Sequence, residues 1–500
     1  MSEKTIYDTI IIGGGPAGYL AAERLGASKK KVLLIEEQHL GGTCLNCGCI
    51  PTKTLLSSAK LYVHAKDAEK YGVKAEGLSF DWNTIQNWKA DVVTKLRGGI
   101  ESQMKRFGVE VLNARAEILK APLGGKAALV KAVPAGDDKG GKAPDGALSE
   151  YEGRTILVSA GSVPVLPPIS GAKGNPLVVD STGLLAINEV PKRLAVIGGG
   201  VIGVEFAGLF AALGAEVAVI EMMDEIIPFM DKEQAPLLRR AMKEVQFKLG
   251  CKVEKIDGAS VHYTDKKGKA EVKEADLVLM AVGRKPLVDT WGAAAIGIDV
   301  SPKGVAVDDF MRTNVSGIWA AGDVTGRSLL AHSAYRMAEV AVADILATLG
   351  ESEGSGNNGA GGNRCAANGN GGNRMRYNAV PWAVYGLTEA AGVGITEQEA
   401  SAKGIEIVKA SIPMRASGRF IAENTIMGQG AVKVIASASD RRILGIHAVG
   451  AYASEFIWGG AALIEQEFRT DEVKQLIFPH PTVSELIREA VWALEERKGD

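Results

Sequence analysis

The stretch TIYDTIIIGGGPAGYLAAERLGASKKKVLLIEE (residues 5–37) decides the fold. Its first part is an apolar, β-branched run that predicts a strand, a helical stretch follows, and KVLLIEE predicts a second strand. Between the first strand and the helix, Gly13, Gly15 and Gly18 have the G-x-G-x-x-G spacing of a dinucleotide-binding βαβ unit. Glycines there permit a tight turn and the close approach of a pyrophosphate to the helix N-terminus. Glu36 ends the second strand, where its carboxylate can accept hydrogen bonds from ribose hydroxyls.

The same arrangement recurs in RLAVIGGGVIGVEFAGLFAALGAEVAVIE (residues 193–221). Gly198, Gly200 and Gly203 repeat the glycine spacing, and Glu221 again ends the second strand. One such pattern is weak evidence, because glycine turns occur in many strand-to-helix connections. Two copies, each flanked by strands and ended by an acid, favour two dinucleotide sites. The alternative is one dinucleotide site and one ordinary βα turn.

The composition is that of a soluble globular protein of roughly three domains. The chain has 500 residues, 46% hydrophobic and 23% charged, and its net charge of -2 provides no global positive field for nucleic acid. No stretch predicts a membrane span, because the most apolar one, around residues 194–220, contains Glu205 and Glu216. The N-terminus has no basic region followed by a cleavage site, which predicts a cytoplasmic protein.

The rest of the chain predicts further strands, a crossover and a separate C-terminal domain. Residues 120–153 are polar and glycine-rich and predict a loop or hairpin, and residues 155–164 predict a strand entering a Pro-rich linker. Fourteen of the 26 residues in 351–376 are Gly or Asn, so we expect a flexible insertion there, with Cys365 inside it. From Tyr377 onward, strand-like runs give way to amphipathic helices, which predicts an α+β domain. Further strands are expected at 275–286 and 316–324, and a helix at about 331–349.

Cys44, Cys47 and Cys49 lie together in TCLNCGC, downstream of the first glycine loop. Five cysteines in 500 residues do not make a disulfide framework, but three within six residues favour catalysis or metal binding in a reducing compartment. A redox-capable thiol pair after a dinucleotide unit suggests electrons passing between a cofactor and a disulfide. The spacing allows three pairings, C-x-x-C, C-x4-C and C-x-C, and does not choose between them. One alternative is a zinc or iron–sulfur site, although four ligands are usual and only His39 could help; another is a set of buried, unreactive cysteines.

Near the C-terminus, FPHPTVSELIREAV (residues 478–491) contains His480 and Glu485. The structural interpretation is that Thr482 and Glu485 form a capping box that opens the helix SELIREAVWALEE, with His480 on the entry loop. The functional interpretation is that Glu485 orients and charges His480, which then exchanges protons with a thiol. The two interpretations do not exclude each other.

Four further residues each have two interpretations. His332, near a helix start, is a packing residue or a cofactor contact, and Asp323, after a strand, holds a cofactor hydroxyl or caps the following turn. Arg284 is a cofactor contact or a surface charge. Lys53 is a solvated helix residue or brings positive charge to a cofactor.

The chain resembles the flavin disulfide reductases along nearly its full length. The matching segments occur in that family's order and are GGGPAG (13–18), GGTCLNCGCIPTK (41–53), SAGS (159–162), GGGVIGVE (198–205), AVGRKP (281–286), GIWAAGDV (317–324), LLAH (329–332) and HPTVSE (480–485). Within the family, the sequence is most similar to the members that oxidise dihydrolipoyl groups. The resemblance implies an α/β fold with two Rossmann-like dinucleotide-binding domains, one for FAD and one for NAD, and a C-terminal α+β dimerisation domain.

The resemblance also implies a domain order and two sets of cofactor contacts. The domains are an FAD-binding domain at 1–155, an NAD-binding domain at 156–285, a second part of the FAD-binding domain at 286–350, the insertion at 351–376 and an interface domain at 377–500. The implied FAD contacts are Gly13, Gly15, Gly18, Glu36, Lys53, Ala116, Ala160, Gly161, Ser162, Asp323, Leu329, Leu330, Ala331 and His332. The implied NAD contacts are Gly198, Gly200, Gly203, Glu205, Glu221 and Gly283.

For the chemistry, the resemblance implies that Cys44 and Cys49 form the redox disulfide, with Cys44 facing a dithiol substrate and Cys49 facing the flavin. Lys53 would lie near the flavin's reactive nitrogen, paired with Glu205. His480 would be the acid/base, delivered across the interface by the partner subunit, so a homodimer with two shared active sites is expected.

The implied reaction is oxidation of protein-bound dihydrolipoyl groups with reduction of NAD. The implied partners are lipoyl domains of 2-oxo acid dehydrogenase complexes or the glycine cleavage lipoyl carrier protein. Glu221 favours NAD, because a carboxylate there repels the 2′-phosphate of NADP. The alternatives are an NAD(P)H-dependent reductase for another small disulfide and a redox-silent FAD-binding subunit. The sequence departs from the family at Cys47, usually not cysteine, at Ala160, commonly threonine, at Phe478, often histidine, and in its Gly/Asn insertion.

Overall fold

The computed structural model describes residues 5–134, 149–350 and 373–496 of the chain. The chain divides into two compact units, each assembled from three separate stretches. The stretches of unit one are Met1–Thr52, Asn87–Val165 and Arg284–Met375. The stretches of unit two are Lys53–Gln86, Leu166–Gly283 and Arg376–Asp500.

The first described range, residues 5–134, begins with the predicted strand–helix–strand unit. Its elements are β1 (Ile6–Ile12), α1 (Pro16–Ala27), β2 (Val32–Glu36), α2 (Gly42–Cys47), α3 (Cys49–Lys66), α4 (Trp82–Arg106), β3 (Glu110–Lys120) and β4 (Ala128–Pro134).

The second described range, residues 149–350, contains the second glycine loop. Its elements are β5 (Ser149–Val158), β6 (Ser162–Pro164), β7 (Val178–Val179), α5 (Ser181–Leu185), β8 (Arg193–Ile197), α6 (Val201–Ala212), β9 (Glu216–Glu221), α7 (Ala235–Ala241), β10 (Val245–Leu249), β11 (Lys252–Asp257), β12 (Ser260–Thr264), β13 (Ala270–Lys273), β14 (Leu277–Met280), β15 (Arg284–Pro286), β16 (Val300–Ser301), β17 (Gly304–Val305), β18 (Ile318–Ala320) and α8 (Ala331–Thr348).

The third described range, residues 373–496, mixes strands and helices. Its elements are β19 (Trp382–Val384), β20 (Ala390–Gly394), α9 (Glu397–Ala402), β21 (Ile407–Pro413), α10 (Gly418–Asn424), β22 (Ala431–Ser437), β23 (Ile443–Val449), α11 (Ala453–Glu465), α12 (Thr470–Lys474) and α13 (Leu486–Glu496).

Unit one is built around β1, which pairs in parallel with both β2 and β5. The sheet continues in parallel from β2 to β3 and from β5 to β18, while β4 pairs antiparallel with β3 and β5. Ile10 and Ile11 are fully buried, as expected for a central parallel strand that is covered on both faces. Helix α1 packs against α8, which brings two sequence motifs more than 300 residues apart into one layer.

Unit two contains a parallel sheet in the order β10-β9-β8-β14-β7 and an antiparallel sheet in the order β19-β20-β23-β22-β21. Helix α6 is apolar apart from Glu205, and its Phe206, Leu209 and Phe210 are buried in the core beside the parallel sheet. Burying each such side chain contributes about 1.5–3 kcal/mol to the free energy of folding. Helices α11 and α13 bury their apolar faces in the core of the antiparallel sheet.

The fold class predicted from the sequence is confirmed, since both glycine loops connect a strand to a helix in a parallel sheet. The segment predicted as a loop or hairpin at 120–153 contains β4 and the start of β5, which pair with each other. Helix α13 begins at Leu486, two residues later than the expected helix start. The predicted insertion and Cys365 lie outside the described residues, apart from 373–376. The domain boundaries stay a prediction.

Candidate active site

The first glycine loop, in unit one, is closely packed in a way that only glycine allows. Gly13 has a φ of +99°, and a Cβ there would lie 2.3 Å from the Ser159 carbonyl oxygen. A Cβ at Gly18 would lie 1.8 Å from the Gly13 carbonyl oxygen, so the start of α1 sits against the loop. Glu36 accepts a hydrogen bond from the Gly14 N–H at 2.6 Å. The carboxylate at the end of β2 therefore fixes the loop, and its predicted contact with a ribose stays a prediction.

The thiol segment begins directly beside this loop. A Cβ at Gly42 would lie 2.6 Å from the Gly15 Cα, so the first residue of α2 touches the start of α1. After α2 the chain turns back at Gly48, where a Cβ would lie 2.8 Å from the Thr43 carbonyl oxygen and 3.4 Å from the Cys44 Cα. This turn brings Cys49, the first residue of α3, close to Cys44.

Side chains from neighbouring elements hold the thiol segment in place. The Asn46 amide donates to the Leu40 and Gly42 carbonyl oxygens at 3.1 and 3.0 Å. Arg97 on α4 donates twice to the Asn46 side-chain oxygen, at 2.7 and 3.0 Å. Thr52 on α3 donates its hydroxyl to the Gly48 carbonyl oxygen at 2.7 Å. Hydrogen bonds therefore stabilise both ends of the turn between Cys44 and Cys49. The local sequence does not predict the contribution of Arg97.

Arg284, Ser162 and Asp323 form a chain of hydrogen bonds in unit one. The Arg284 guanidinium donates to the Ser162 hydroxyl at 2.8 Å and to its carbonyl oxygen at 2.6 Å. The Ser162 hydroxyl in turn donates to the Asp323 carboxylate at 2.6 Å. Burial raises the pKa of Asp323, against the opposing effects of Ser162 and Arg284. The surface-charge interpretation of Arg284 is therefore wrong, because its side chain is engaged inside the unit.

Two tyrosines missed by the sequence analysis lie near the thiols. The Tyr19 hydroxyl on α1 is hydrogen-bonded to the Tyr335 hydroxyl on α8, and the rings meet edge to face with centroids 5.9 Å apart. Burial raises the pKa of both tyrosines, and the charge on Cys44 raises both further. Cys49 also raises the pKa of Tyr335. Tyr19 lies about one helical turn after the start of the first glycine loop's helix, and Tyr335 lies about one turn after the LLAH motif. These positions are the only local sequence signal for the two tyrosines.

The second glycine loop, in unit two, repeats the geometry of the first. Gly198 has a φ of +106°, and a Cβ there would lie 2.5 Å from the Ala281 carbonyl oxygen. A Cβ at Gly203 would lie 2.0 Å from the Gly198 carbonyl oxygen. Glu221 is buried and accepts the Gly199 N–H at 2.5 Å and the Met223 N–H at 2.7 Å.

Lys53 and Glu205, in unit two, form a close ion pair. The Lys53 ammonium lies 2.9 and 2.8 Å from the two Glu205 carboxylate oxygens, and Glu205 is almost fully buried. The ammonium also lies 4.4 Å from the centre of the Tyr385 ring, and the Tyr385 N–H donates to Glu205 at 3.0 Å. Lys53 is thus a fixed charge rather than a solvated helix residue. Tyr385 was not predicted from the sequence.

His480 and Glu485 are in contact, on a largely exposed loop of unit two. The His480 Nδ1 lies 3.1 and 3.2 Å from the Glu485 carboxylate oxygens, and the imidazole is 81% exposed while the carboxylate is largely buried. The Thr482 N–H donates to Glu485 at 3.3 Å, whereas the Thr482 hydroxyl donates to the Pro479 carbonyl oxygen. The second hydrogen bond of the expected capping box, from the Glu485 N–H to the Thr482 hydroxyl, is therefore absent. The Glu485 carboxylate contacts His480 instead.

The other predicted contacts fall on the same two units. In unit one, Ala116 is buried on β3, Ala160 and Gly161 lie between β5 and β6, and α8 begins at Ala331. The remaining predicted residues are Leu329, Leu330 and His332 at the start of α8, and Gly200 and Gly283 in unit two. The cofactor roles of all these residues stay predictions.

The residues present fit two dinucleotides. Helices α1 and α6 have twelve residues each, and their N-cap residues, Gly15 and Gly200, provide no side-chain cap. The N–H groups of both first turns can therefore bind phosphate oxygens, aided by the positive end of the helix dipole. In the described parts of the chain, no group of three or more His, Cys, Asp or Glu side chains could hold a metal ion.

Within the three described ranges, no helix is long and apolar enough to cross a membrane.

Two family models match the chain. The model for pyridine nucleotide-disulphide oxidoreductases matches residues 7–338, and the model for the dimerisation domain of these proteins matches residues 380–491.

Curated relatives span nearly the whole chain. It is 33% identical over 490 residues to a dihydrolipoyl dehydrogenase of Geobacillus stearothermophilus, which covers 97% of this chain and 95% of that protein. It is 35% identical over 501 residues to a dihydrolipoyl dehydrogenase of Thermus scotoductus, with 98% of each protein covered.

Solved structures agree with these relatives. LpdA from Mycobacterium tuberculosis is similar with a TM-score of 0.82 and 26% identity, over 97% of this chain and 99% of that chain. The HOCl-induced flavoprotein disulfide reductase RclA from Escherichia coli is similar with a TM-score of 0.77 and 26% identity, over 97% and 99%.

Proposed function

Because the chain belongs to the pyridine nucleotide-disulphide oxidoreductase family, we propose that it is a dihydrolipoyl dehydrogenase that oxidises protein-bound dihydrolipoyl groups and reduces NAD. The observation that carries this proposal is the turn at Gly48. It brings Cys49 back to Cys44 at the point where α2 touches the first nucleotide loop. A single stretch of unit one therefore places a pair of cysteines beside a loop that can bind a dinucleotide cofactor.

The thiols carry the first half of the reaction. A substrate thiolate attacks the Sγ of Cys44, the Cys44–Cys49 bond breaks, and Cys49 leaves as a thiolate. The second substrate thiolate then attacks the substrate sulfur bound to Cys44, which closes the lipoyl disulfide and releases Cys44 as a thiolate. Two electrons have then moved from the substrate to the cysteine pair.

His480 accepts the protons that the substrate thiols lose. Its Nδ1 is held by the Glu485 carboxylate, and the exposed imidazole leaves Nε2 available to exchange a proton with a substrate thiol. A largely exposed imidazole on its own subunit suits a residue that acts in the active site of a partner.

The first loop, with Ser162 and Asp323, would hold FAD, and the second loop, with Glu221, would hold NAD. When bound, FAD supplies the two-electron link between the Cys49 thiolate and the nicotinamide. The Lys53–Glu205 pair keeps the Lys53 charge fixed in place. The two glycine loops would position the phosphates of the two cofactors.

The matched dimerisation domain supports a homodimer. In that domain, large apolar side chains are exposed, with Ile477 98% exposed, Trp458 70% and Trp492 49%. Exposed apolar groups of this size favour a protein interface. The partners we propose are lipoyl domains of 2-oxo acid dehydrogenase complexes or of the glycine cleavage carrier, and the proposed location is the cytoplasm.

The proposal is tested by measuring dihydrolipoamide-dependent reduction of NAD and of NADP by the purified, flavin-loaded protein. We expect rapid NADH formation and little NADPH formation. Cys44→Ser and Cys49→Ser should abolish this turnover while NADH-to-dye activity persists, and Cys47→Ser serves as the matched control that retains it. Dihydrolipoamide turnover by Cys44→Ser would show that the assigned pair is wrong.

His480 is tested separately. His480→Gln should lower dihydrolipoamide turnover by about two orders of magnitude, because positioned acid/base catalysis contributes roughly 10²–10⁴-fold. Unchanged turnover would leave this residue with a packing role only.

The similarity to RclA favours a second candidate, an NAD(P)H-dependent reductase of another small disulfide. It predicts a yellow protein that oxidises NADH with a disulfide acceptor but shows no dihydrolipoamide turnover.

A further inference from the structure

Arg97 has no part in the reaction as derived above, yet it contacts the segment between the two redox cysteines. It is half-buried on α4, and its contact Asn46 lies two residues after Cys44 and three before Cys49. The Arg97 Nε and one of its terminal nitrogens both donate to the Asn46 Oδ1, at 3.0 and 2.7 Å. Because a guanidinium presents its donors in a rigid fork, this contact fixes the direction of the amide as well as its distance.

The Asn46 amide extends this contact to the start of α2. Its Nδ2 donates to the Leu40 and Gly42 carbonyl oxygens at 3.1 and 3.0 Å. Each polar atom of the amide therefore meets a complementary partner, since Oδ1 faces donors and Nδ2 faces acceptors. A flipped amide would set Nδ2 against the guanidinium and Oδ1 against two carbonyl oxygens, so only one orientation is favourable. Together, Arg97, the Asn46 side chain and these two carbonyl groups are called the Asn46 clamp below.

The Asn46 clamp fixes the loop that carries the cysteines. Gly42 is the first residue of α2 and Asn46 lies near its end, so the clamp holds the two ends of this short helix together. The chain then turns at Gly48, where a Cβ would lie 3.4 Å from the Cys44 Cα, and Cys49 follows directly. None of the atoms of the clamp is a sulfur atom. Its contacts can therefore persist when the bond between the cysteines opens.

We propose that Arg97 is a positioning residue that, through Asn46, keeps Cys44 and Cys49 close together in the reduced enzyme and so stabilises their disulfide against reduction. The inference rests on the proposed function, in which these two cysteines are the redox pair. A disulfide closes more readily when its thiols are already held together, because closure then costs less conformational entropy. A more stable disulfide has a more negative potential, so the reduced pair passes its electrons to the cofactor more readily.

The positive charge of Arg97 acts in the opposite direction. A cation near the cysteines stabilises thiolates, which form only when the disulfide is reduced, and so makes the potential less negative. Arg97→Met keeps most of the side-chain length but removes both the donors and the charge. Loss of the clamp makes the potential of this variant less negative, whereas loss of the charge makes it more negative. The sign of the shift therefore shows which of the two effects dominates.

The test is the thiol–disulfide equilibrium of the flavin-loaded protein in mixtures of dithiothreitol and its cyclic disulfide. Dithiothreitol reduces the Cys44–Cys49 bond and itself becomes the cyclic disulfide, so two electrons and two protons pass to the cysteines. Samples are quenched with acid and alkylated with N-ethylmaleimide. The tryptic peptide 32–53 carries all three cysteines of the segment, so its mass gives the number of free thiols and its fragments locate them. We expect Arg97→Met to favour the reduced form by roughly tenfold, which is a midpoint about 30 mV less negative.

Lys95→Met is the matched control, since it removes a cation from an exposed position of the same helix, two residues away. Its midpoint should equal that of the unsubstituted protein. Asn46→Ala removes the amide through which Arg97 acts and should also make the midpoint less negative. Adding Arg97→Met to Asn46→Ala should then produce no further shift, because the contact is already lost.

Three results would overturn the proposal. They are an unchanged or more negative midpoint in Arg97→Met, an equal shift in Lys95→Met, and a further shift in the same direction in the combined variant. If Asn46→Ala fails to bind flavin, the comparison of Arg97→Met with Lys95→Met decides alone.

Failure of this proposal is distinguishable from failure of the proposed function. The equilibrium is measured without a lipoyl substrate, whereas the assignment of the redox pair is tested by dihydrolipoamide turnover in Cys44→Ser. An unshifted midpoint for a disulfide that fragmentation locates at Cys44 and Cys49 removes only Arg97 from the mechanism. A disulfide located at another pair of cysteines would contradict the proposed function itself.

Discussion

Lys433 on β22 is fully buried and lies among three carboxylates, and replacing it should strongly destabilise unit two. Its ammonium lies 3.0 Å from Asp231, which is also fully buried, 2.9 Å from Glu233 and 2.7 Å from Glu397. Lys433→Met keeps most of the side-chain volume but leaves Asp231 buried without its cation. Removing one partner of a buried ion pair costs about 3–5 kcal/mol of unfolding free energy. At roughly 2–4 °C per kcal/mol, the Tm of unit two should fall by about 10 °C.

Lys409 provides a matched control in the same cluster. It lies 3.0 Å from Glu233 and also bonds Glu397, but its side chain is 34% exposed. Lys409→Met should therefore cost no more than about 1 kcal/mol. Combining Lys433→Met with Asp231→Asn should recover part of the loss, with a coupling energy of roughly 0.5–3 kcal/mol. Calorimetry of four variants, the two Lys→Met variants, Asp231→Asn alone and the combined variant, makes the comparison. A Lys433→Met loss no larger than that of Lys409→Met would refute the reasoning.

The stabilisation of the fold by Lys433 should also depend on pH. Lys433 lowers the pKa of Glu233, and Lys409 followed by Lys433 lowers the pKa of Glu397. A carboxyl group with a lowered folded-state pKa stabilises the fold above its unfolded value, about 4.3, and loses that contribution as the pH falls through the folded value. The Tm difference between the unsubstituted protein and Lys433→Met should therefore be largest near neutral pH and should shrink below about pH 4.

Three further predictions concern the nucleotide loops and the core of unit two. Gly18→Ala should yield protein without bound flavin, because the new Cβ would lie 1.8 Å from the Gly13 carbonyl oxygen. Gly203→Ala should stay yellow but lose reduction by NADH, because its new Cβ would lie 2.0 Å from the Gly198 carbonyl oxygen. Absorbance spectra before and after NADH addition test both. Glu221→Ala should lower the KM for NADP by about tenfold or more, since removing the carboxylate removes repulsion of the 2′-phosphate; an unchanged KM would contradict this. Burial lowers the pKa of His447, so the folded state binds its proton less readily than the unfolded chain, and stability should fall as the pH drops below about 6.5. His447→Gln should flatten this part of the Tm–pH curve.

The sequence was enough to predict the elements whose signal is local. A strand, a glycine turn, a helix and a second strand are all specified within about thirty residues, so both βαβ units were predicted with their acidic ends. The contact between Glu36 and the Gly14 N–H was not predicted, although it spans only 22 residues, because a ribose was the expected partner of the carboxylate.

The rest of the site depends on contacts between distant parts of the chain. Tyr19 and Tyr335 are 316 residues apart, and only the packing of α1 on α8 brings their hydroxyls together. Nothing in the run GAVKVIA marks Lys433 as buried, since lysines on strands are normally exposed. Its partners Asp231 and Glu397 come from segments 202 and 36 residues away. Such clusters become visible only when the sheet order and register are known.

The two glycine loops are nearly identical in shape, so loop geometry cannot by itself decide which of them holds FAD. Their first glycines have φ values of +99° and +106°, and each loop N–H is bound by the acid that ends the second strand. What differs is the neighbour of each loop. The first touches α2, two residues before Cys44. A flavin that exchanges electrons with a thiol pair must stay beside it through every turnover, while a soluble nicotinamide must enter and leave. The proximity of the first loop to the thiols therefore favours FAD there, which leaves the second loop for the exchanging coenzyme.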